Sequence, residues 1–120
     1  MENYKIGDVV RAGTNSPKLT VTEVKENIIE CMWFVKNEIK KSFFNAQTLT
    51  IVKSYQETQK DLSIADRVNL KSGGPDTEMI VEEIKENIIE CMWFVNDIKK
   101  RATFHPATIE KFEININITF

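Results

Sequence analysis

The sequence predicts an all-β protein in which one small barrel is built twice in tandem, and three observations carry that reading. The stretch from Lys25 to Val35 recurs without a change from Lys85 to Val95, an eleven-residue identity at an offset of sixty in a chain of 120 residues. An internal repeat sets the architecture before any local reading does. The segments around it are short, rich in Val, Ile, Thr, Trp and Phe, and alternate apolar with polar, as half-buried strands do. Between them lie turn residues such as Glu26-Asn27, Gly13 to Pro17 and Gly73-Gly74-Pro75, which punctuate strands.

The repeat extends beyond the identical stretch. Ile6-Gly7-Asp8-Val9-Val10-Arg11 matches Ile64-Ala65-Asp66-Arg67-Val68-Asn69, and Pro17 matches Pro75. Val21, Glu23 and Val24 match Val81, Glu83 and Ile84; Ile39-Lys40-Lys41 matches Ile98-Lys99-Lys100; Phe44 matches Phe104 and Leu49 matches Ile109. Small changes of offset fall between strand-like runs, where surface loops absorb insertions cheaply. The domains are therefore read as residues 1–54 and 62–120, with the polar segment 55–61 as linker.

Taken in order, Tyr4 to Arg11 is the first strand, short and β-branched, and Gly13 to Pro17 breaks it. In Lys18 to Val24, Leu19, Val21 and Glu23 share one face and Thr20, Thr22 and Val24 the other; the charge at Glu23 marks a bulge or the end of burial. Glu26-Asn27 turns the chain, and Asn tolerates a positive φ. From Ile28 to Val35, Ile29, Cys31, Trp33 and Val35 point one way and Ile28, Glu30, Met32 and Phe34 the other. A helix is the rival, since Val24, Ile28, Met32 and Val35 also fit a helical stripe, but no N-cap precedes the run and its composition favours a strand. Ile39 to Phe44 and Leu49 to Val52 are the fourth and fifth strands. Copy two repeats the plan with Arg67 to Lys71, 79–84, 88–95, 98–104 and 109 onward. From Phe112 to Phe120 the alternation is strict to the last residue. It predicts a long C-terminal strand that crosses to the first copy or pairs with a partner chain as a homodimer, because left open it would be an aggregation hazard.

Five short strands with tight turns in about 50 residues fit a small, strongly bent SH3-like barrel, with Cys31 and Trp33 inside. A unit of about 55 residues buries only roughly 60% of its unfolded surface, so packing two copies together adds stability that each lacks alone. Apolar content of 42% fits a globular chain. No run approaches the ~20 apolar residues of a membrane span, and the N-terminus has no signal-peptide pattern. Cys31 and Cys91 are expected to be buried free thiols. Zinc takes four ligands and His105 is the only further soft one, so no metal or other cofactor is expected. Residues 1–54 hold eight basic and six acidic side chains (+2), and residues 55–120 eight and twelve (−4).

Asp66 to Pro75, Met79-Ile80-Val81, Cys91-Met92-Trp93-Phe94, Lys99 to Phe104 and Pro106 together resemble the YodC-like family of small uncharacterised bacterial proteins. Copy one shares Ile6 to Val10, Pro17, Leu19-Thr20-Val21, Cys31 to Phe34 and Phe44. It departs at Gly13 to Ser16 and at Asn45-Ala46, where the family has a Lys-Ser-Gly-Gly turn and a Pro, while copy two has Ala65 for Gly. The resemblance implies a small cytoplasmic β-barrel and brings no catalytic residue; the usual single domain is here doubled.

Gly73-Gly74-Pro75 reads as a tight turn, His105 as a surface or turn histidine, and Glu30 and Glu90 as lone strand carboxylates, so no enzyme is expected. The candidate partner-binding residues are Met32, Phe34, Met92 and Phe94, which point away from the barrel interior if Trp33 and Trp93 point in, together with Lys99, Lys100 and Arg101. Those Met/Phe faces either pack against each other between the copies or stay open to a ligand. A protein partner, bound by an inhibitor or adaptor, is the leading expectation. The alternative is nucleic acid, held by Lys40/Lys41 and Lys99/Lys100/Arg101.

Overall fold

A computed structural model of the chain describes residues 3–55 and 61–112. The first half holds strands β1 (Val9–Ala12), β2 (Leu19–Lys25), β3 (Ile28–Val35), β4 (Glu38–Asn45) and β5 (Leu49–Lys53), with a 3₁₀ turn at Ala46–Thr48. The second holds β6 (Arg67–Leu70), β7 (Met79–Lys85), β8 (Ile88–Val95), β9 (Ile98–Phe104) and β10 (Ile109–Lys111), with a 3₁₀ turn at Pro106–Thr108. The fold is all-β, as the alternation predicts: two five-stranded antiparallel sheets, ordered β4-β3-β2-β1-β5 and β9-β8-β7-β6-β10. No helix among the described residues is long and apolar enough to cross a membrane.

The period-two pattern decides what each sheet buries. Val10, Leu19, Val21, Ile29, Cys31 and Leu49 form the first core. Val68, Leu70, Met79, Val81, Ile89, Cys91, Trp93, Phe104 and Ile109 form the second, joined by Met32 from the first half. Each fully buried aliphatic side chain contributes roughly 1.5–3 kcal/mol. Both cysteines are buried free thiols, as expected.

The lapse at Glu23 is a bulge. The β2–β3 register shifts between Val21 and Glu23, and the β7–β8 register shifts between Val81 and Glu83. The extra residue is Thr22 in one half and Glu82 in the other. The strand read over Ile28–Val35 is a strand in both halves, and the helical alternative falls away.

Two expectations need correction. The first strand begins at Val9, not Tyr4. Gly7 adopts φ +97°, and the Asp8 N–H donates to the Lys5 carbonyl at 3.0 Å while Asp8 Oδ2 accepts from the Lys5 N–H at 2.9 Å. That closed turn holds Tyr4 to Asp8 out of the sheet. Second, the match of Ile39-Lys40-Lys41 to Ile98-Lys99-Lys100 is out by one. The hairpins pair Phe34 with Ile39 and Phe94 with Lys99, so Ile39 corresponds to Lys99 and Glu38 to Ile98. A one-residue slip exchanges the faces of a strand, and this one changes which residues surround the candidate site. The linker expected at 55–61 lies largely outside the described residues, as does the C-terminal strand expected beyond Phe112.

Candidate interaction surface on the repeated strand

In β3 and β8 the inward residues are Ile29, Cys31 and Trp33, and Ile89, Cys91 and Trp93. Met32 and Phe34, and Met92 and Phe94, therefore occupy the outer faces, and the two copies of this one sequence meet different fates.

In the first half the outer face is covered by the second. Met32 is buried in the second half's core, with Phe34 and Ile39 packed against it. The Phe34 ring meets Trp93 edge to face, with centroids 5.4 Å apart and planes at 83°, a favoured aromatic geometry. The Trp93 indole N–H donates to the Asn37 carbonyl at 3.0 Å, and Asn37 Oδ1 accepts from the Asp76 N–H at 2.9 Å. Thr20, wholly buried on the same face, donates its hydroxyl to Ser72 Oγ at 2.6 Å and accepts from the Ser72 N–H at 2.9 Å. A second contact lies beside it, at the start of β1. The Tyr55 N–H donates to Asp8 Oδ1 at 2.6 Å, and its ring lies 4.0 Å below the Lys71 ammonium. Burial is the main cause that lowers the Lys71 pKa, with Lys53 adding to it and Glu110 and Asp8 opposing it.

In the second half the same face is open. Phe94 is 49% exposed and Met92 half-buried. Lys99 and Arg101 stand directly across from Phe94 and Met92 and share their face, whereas Lys100 pairs with Trp93 and belongs to the other. In the first half Lys41 shares Met32's face and Lys40 does not. Of the candidate residues, the fold thus brings together Met92, Phe94, Lys99 and Arg101, sets Lys100 aside, and covers Met32 and Phe34.

Both basic groups on the open face are paired. Lys99 forms an ion pair with Glu82, and Arg101 lies 3.5 Å from Glu90 Oε1. The hydrogen bond from Lys99 is the main cause holding the Glu82 carboxyl below its usual range, helped by the charges of Lys99 and Arg101 and opposed by burial. Glu82 Oε2 is buried and has no hydrogen-bond partner among the described residues. Thr77 donates its hydroxyl to the Phe94 carbonyl at 2.9 Å. Glu82 and Thr77 were missed in the sequence. The lapse at Glu23 was the available signal for Glu82, since it marks the bulge that Thr22 and Glu82 occupy. Phe43, 65% exposed, escaped notice because its neighbour Phe44 satisfied the expected core position.

Where Lys99 and Glu82 meet, the first half has Ile39 and Thr22. The covered face is uncharged at those positions and the open face ionic, so the repeat is held constant where the strand lies and varied around it according to solvent access.

The remaining polar candidates make local contacts. His105 caps the second 3₁₀ turn, with Nδ1 accepting from the Ala107 N–H at 3.0 Å, as Asn45 Oδ1 accepts from Gln47 at 2.9 Å in the first half. Glu30 Oε1 accepts from the Thr22 hydroxyl at 2.8 Å. Gly73 adopts φ +125°, and a Cβ on Gly74 would strike the Asn69 side chain, so both glycines serve the turn. A cleft of about 650 Å³ beside Tyr4, Val24, Ile29 and Leu49 has Glu26 as the one carboxylate on its wall among the described residues.

The fold and this surface together define an all-β chain of two like sheets with one shared strand face covered and its counterpart open. No protein-family model matches the chain, and neither a curated protein nor a solved structure matches it.

Proposed function

We propose that this chain is a non-catalytic interaction module, two SH3-like barrels in tandem, which engages a protein partner through Met92 and Phe94 and acts as an inhibitor or adaptor. One observation carries the reading: the same Met/Phe pair on the same strand already buries itself against protein in the first half, at Met32 and Phe34. The second half presents that pair to solvent with a charged rim of Lys99, Arg101, Glu82 and Glu90, the anatomy of an apolar interface centre with a polar border. The barrel reading is supported by the identical strand order of the two sheets and by the bulge at the same place in each. The YodC-like kinship and a cytoplasmic setting belong to the same proposal and rest on the sequence motifs.

Affinity capture from the host's own lysate tests it. The wild type and a Phe43→Glu control should retain one stoichiometric protein that Phe94→Glu loses. Capture indifferent to Phe94→Glu, or no capture, overturns the reading.

Nucleic acid, through Lys40, Lys41, Lys99, Lys100 and Arg101, stands second. Lys40 pairs with Glu38 at 3.4 Å, and Lys99 and Arg101 are also paired, which leaves little of the unneutralised stripe that phosphate binding uses. A salt-dependent gel shift abolished by Lys99/Lys100/Arg101→Ala would reverse the order.

A further inference from the structure

The contact between the halves is heterologous: the outer face of β3 meets the Trp93 end of the other sheet, so each half keeps one member of the pair unused. The second half has the open Phe94 face. The first half has the Trp33 end, where the indole is half-buried against Phe44, with centroids 6.3 Å apart. Among the described residues the Trp33 indole N–H has no hydrogen-bond acceptor, whereas that of Trp93 has the Asn37 carbonyl.

We propose that two chains join head to tail, the Phe94 face and β8–β9 turn of one seated on the Trp33 end of the next. The proposal rests on the reading of Phe94 as an open interaction surface, on which a second copy of the chain can also sit. The fit follows the contact already made within the chain, with a β8–β9 turn that differs in holding Asp97 as well as Asn96 at positive φ. Phe94 takes the place of Phe34 and Trp33 that of Trp93, so the same ring pair forms. The Asp97 carbonyl takes the place of that of Asn37 and accepts the Trp33 indole N–H. Lys18, the first residue after Pro17 in a connection two residues shorter than that from Pro75 to Met79, stands where that connection enters the sheet, and its ammonium is set beside the Asp97 carboxylate. Lys18 and Asp97 are both exposed. Residues 1–54 carry +2 and residues 55–120 carry −4, so the two halves are opposite in net charge.

Two substitutions set the strength. Ile39, packed against the second core, is replaced by Lys99, held in its ion pair with Glu82, and Thr20, bonded to Ser72, is replaced by Ile80. The contact between chains therefore lacks both the Ile39 packing and the Thr20–Ser72 bonds, and is reversible. A heterologous contact closes into a ring or runs on as a filament.

Sedimentation velocity on the full chain over a wide concentration range tests this. The wild type should gain mass with concentration, less so at high salt, and Phe94→Glu should stay monomeric with an unchanged circular dichroism spectrum. Lys18→Glu and Asp97→Lys should each weaken association about tenfold, since each sets like charges opposite one another, and the double variant should restore it. A wild type that stays monomeric throughout, association that survives Phe94→Glu, or a double variant no better than either single overturns the proposal. A monomeric wild type that still captures a different protein through Phe94 leaves the interaction reading standing and removes only this one. Failure of both experiments removes both.

Discussion

At Gly7 and Ala65 the two halves ask for the same backbone and are given different residues. Both positions lie in the left-handed region, at φ +97° and +80°, and their N–H groups donate to the Val21 and Val81 carbonyls at 2.8 Å. A Cβ there costs roughly 1–2 kcal/mol, which Ala65 bears and Gly7 avoids. Ala65→Gly should therefore raise stability by about 0.5–1 kcal/mol once glycine's extra unfolded-state freedom is subtracted. Gly7→Ala should cost more than that gains, because its new methyl would also strike the Ala107 carbonyl and come within 2.9 Å of the Tyr55 ring. Urea melts of the two variants give both signs. The thiols supply a second residue-scale prediction. Burial, with Glu30 and Glu90 adding to it, pushes Cys31 and Cys91 up from 9.0 to about 12. Between those values the folded chain holds protons that the unfolded chain releases, so stability falls as pH rises from about 9 towards 12. At pH 8 both thiols should resist a disulfide reagent until denaturant is added.

At the scale of elements, β3 and β8 show how much of the fold could be read in advance. Alternation in Ile28–Val35 gave the strand, its inward face and the buried cysteines, because period two is a local property. The bulge was visible as a charge at Glu23 where an apolar residue was due. The loop at Tyr4 to Asp8 was hidden, since it depends on a left-handed residue that in one half is not glycine. The relation of Ile39 to Lys99 was hidden too, because matching like residues places Ile beside Ile whereas the hairpin counts outward from its turn. The two tryptophans separate these levels. Trp93 is 4% exposed and bonded across the halves, while Trp33 is half-buried within its own sheet. Trp93→Ala should cost about 3–5 kcal/mol and Trp33→Ala distinctly less. In thermal melts equal losses, or a larger loss for Trp33, would contradict this. Acrylamide should quench the emission of a chain retaining only Trp33 more than one retaining only Trp93.

At the scale of the whole molecule, identical strands are used unequally. The sequence offered two outcomes for the Met/Phe faces, packed against each other or open; the second is open, but the first packs on the Trp93 end of the other sheet and not on its counterpart. That choice depends on how two folded sheets dock, which no pattern along one strand encodes. The docking is polar as well as apolar. Thr20→Val should cost about 1–3 kcal/mol, because it leaves the Ser72 N–H without its acceptor in a closed interface. A denaturation curve that loses cooperativity between the halves would mark that contact as what couples them, whereas an unchanged midpoint would count against it.

Sameness also has a kinetic consequence. Nothing within Ile28–Val35 or Ile88–Val95 distinguishes β4 from β9 as a neighbour, so in a refolding chain either strand could be claimed by the wrong mate. The turns at Lys36-Asn37 and Asn96-Asp97 are what decide, because each brings its own mate alongside before a distant rival can arrive. A long flexible insertion between Lys36 and Asn37 should slow renaturation and fill the early mixture with exchanged, intertwined species.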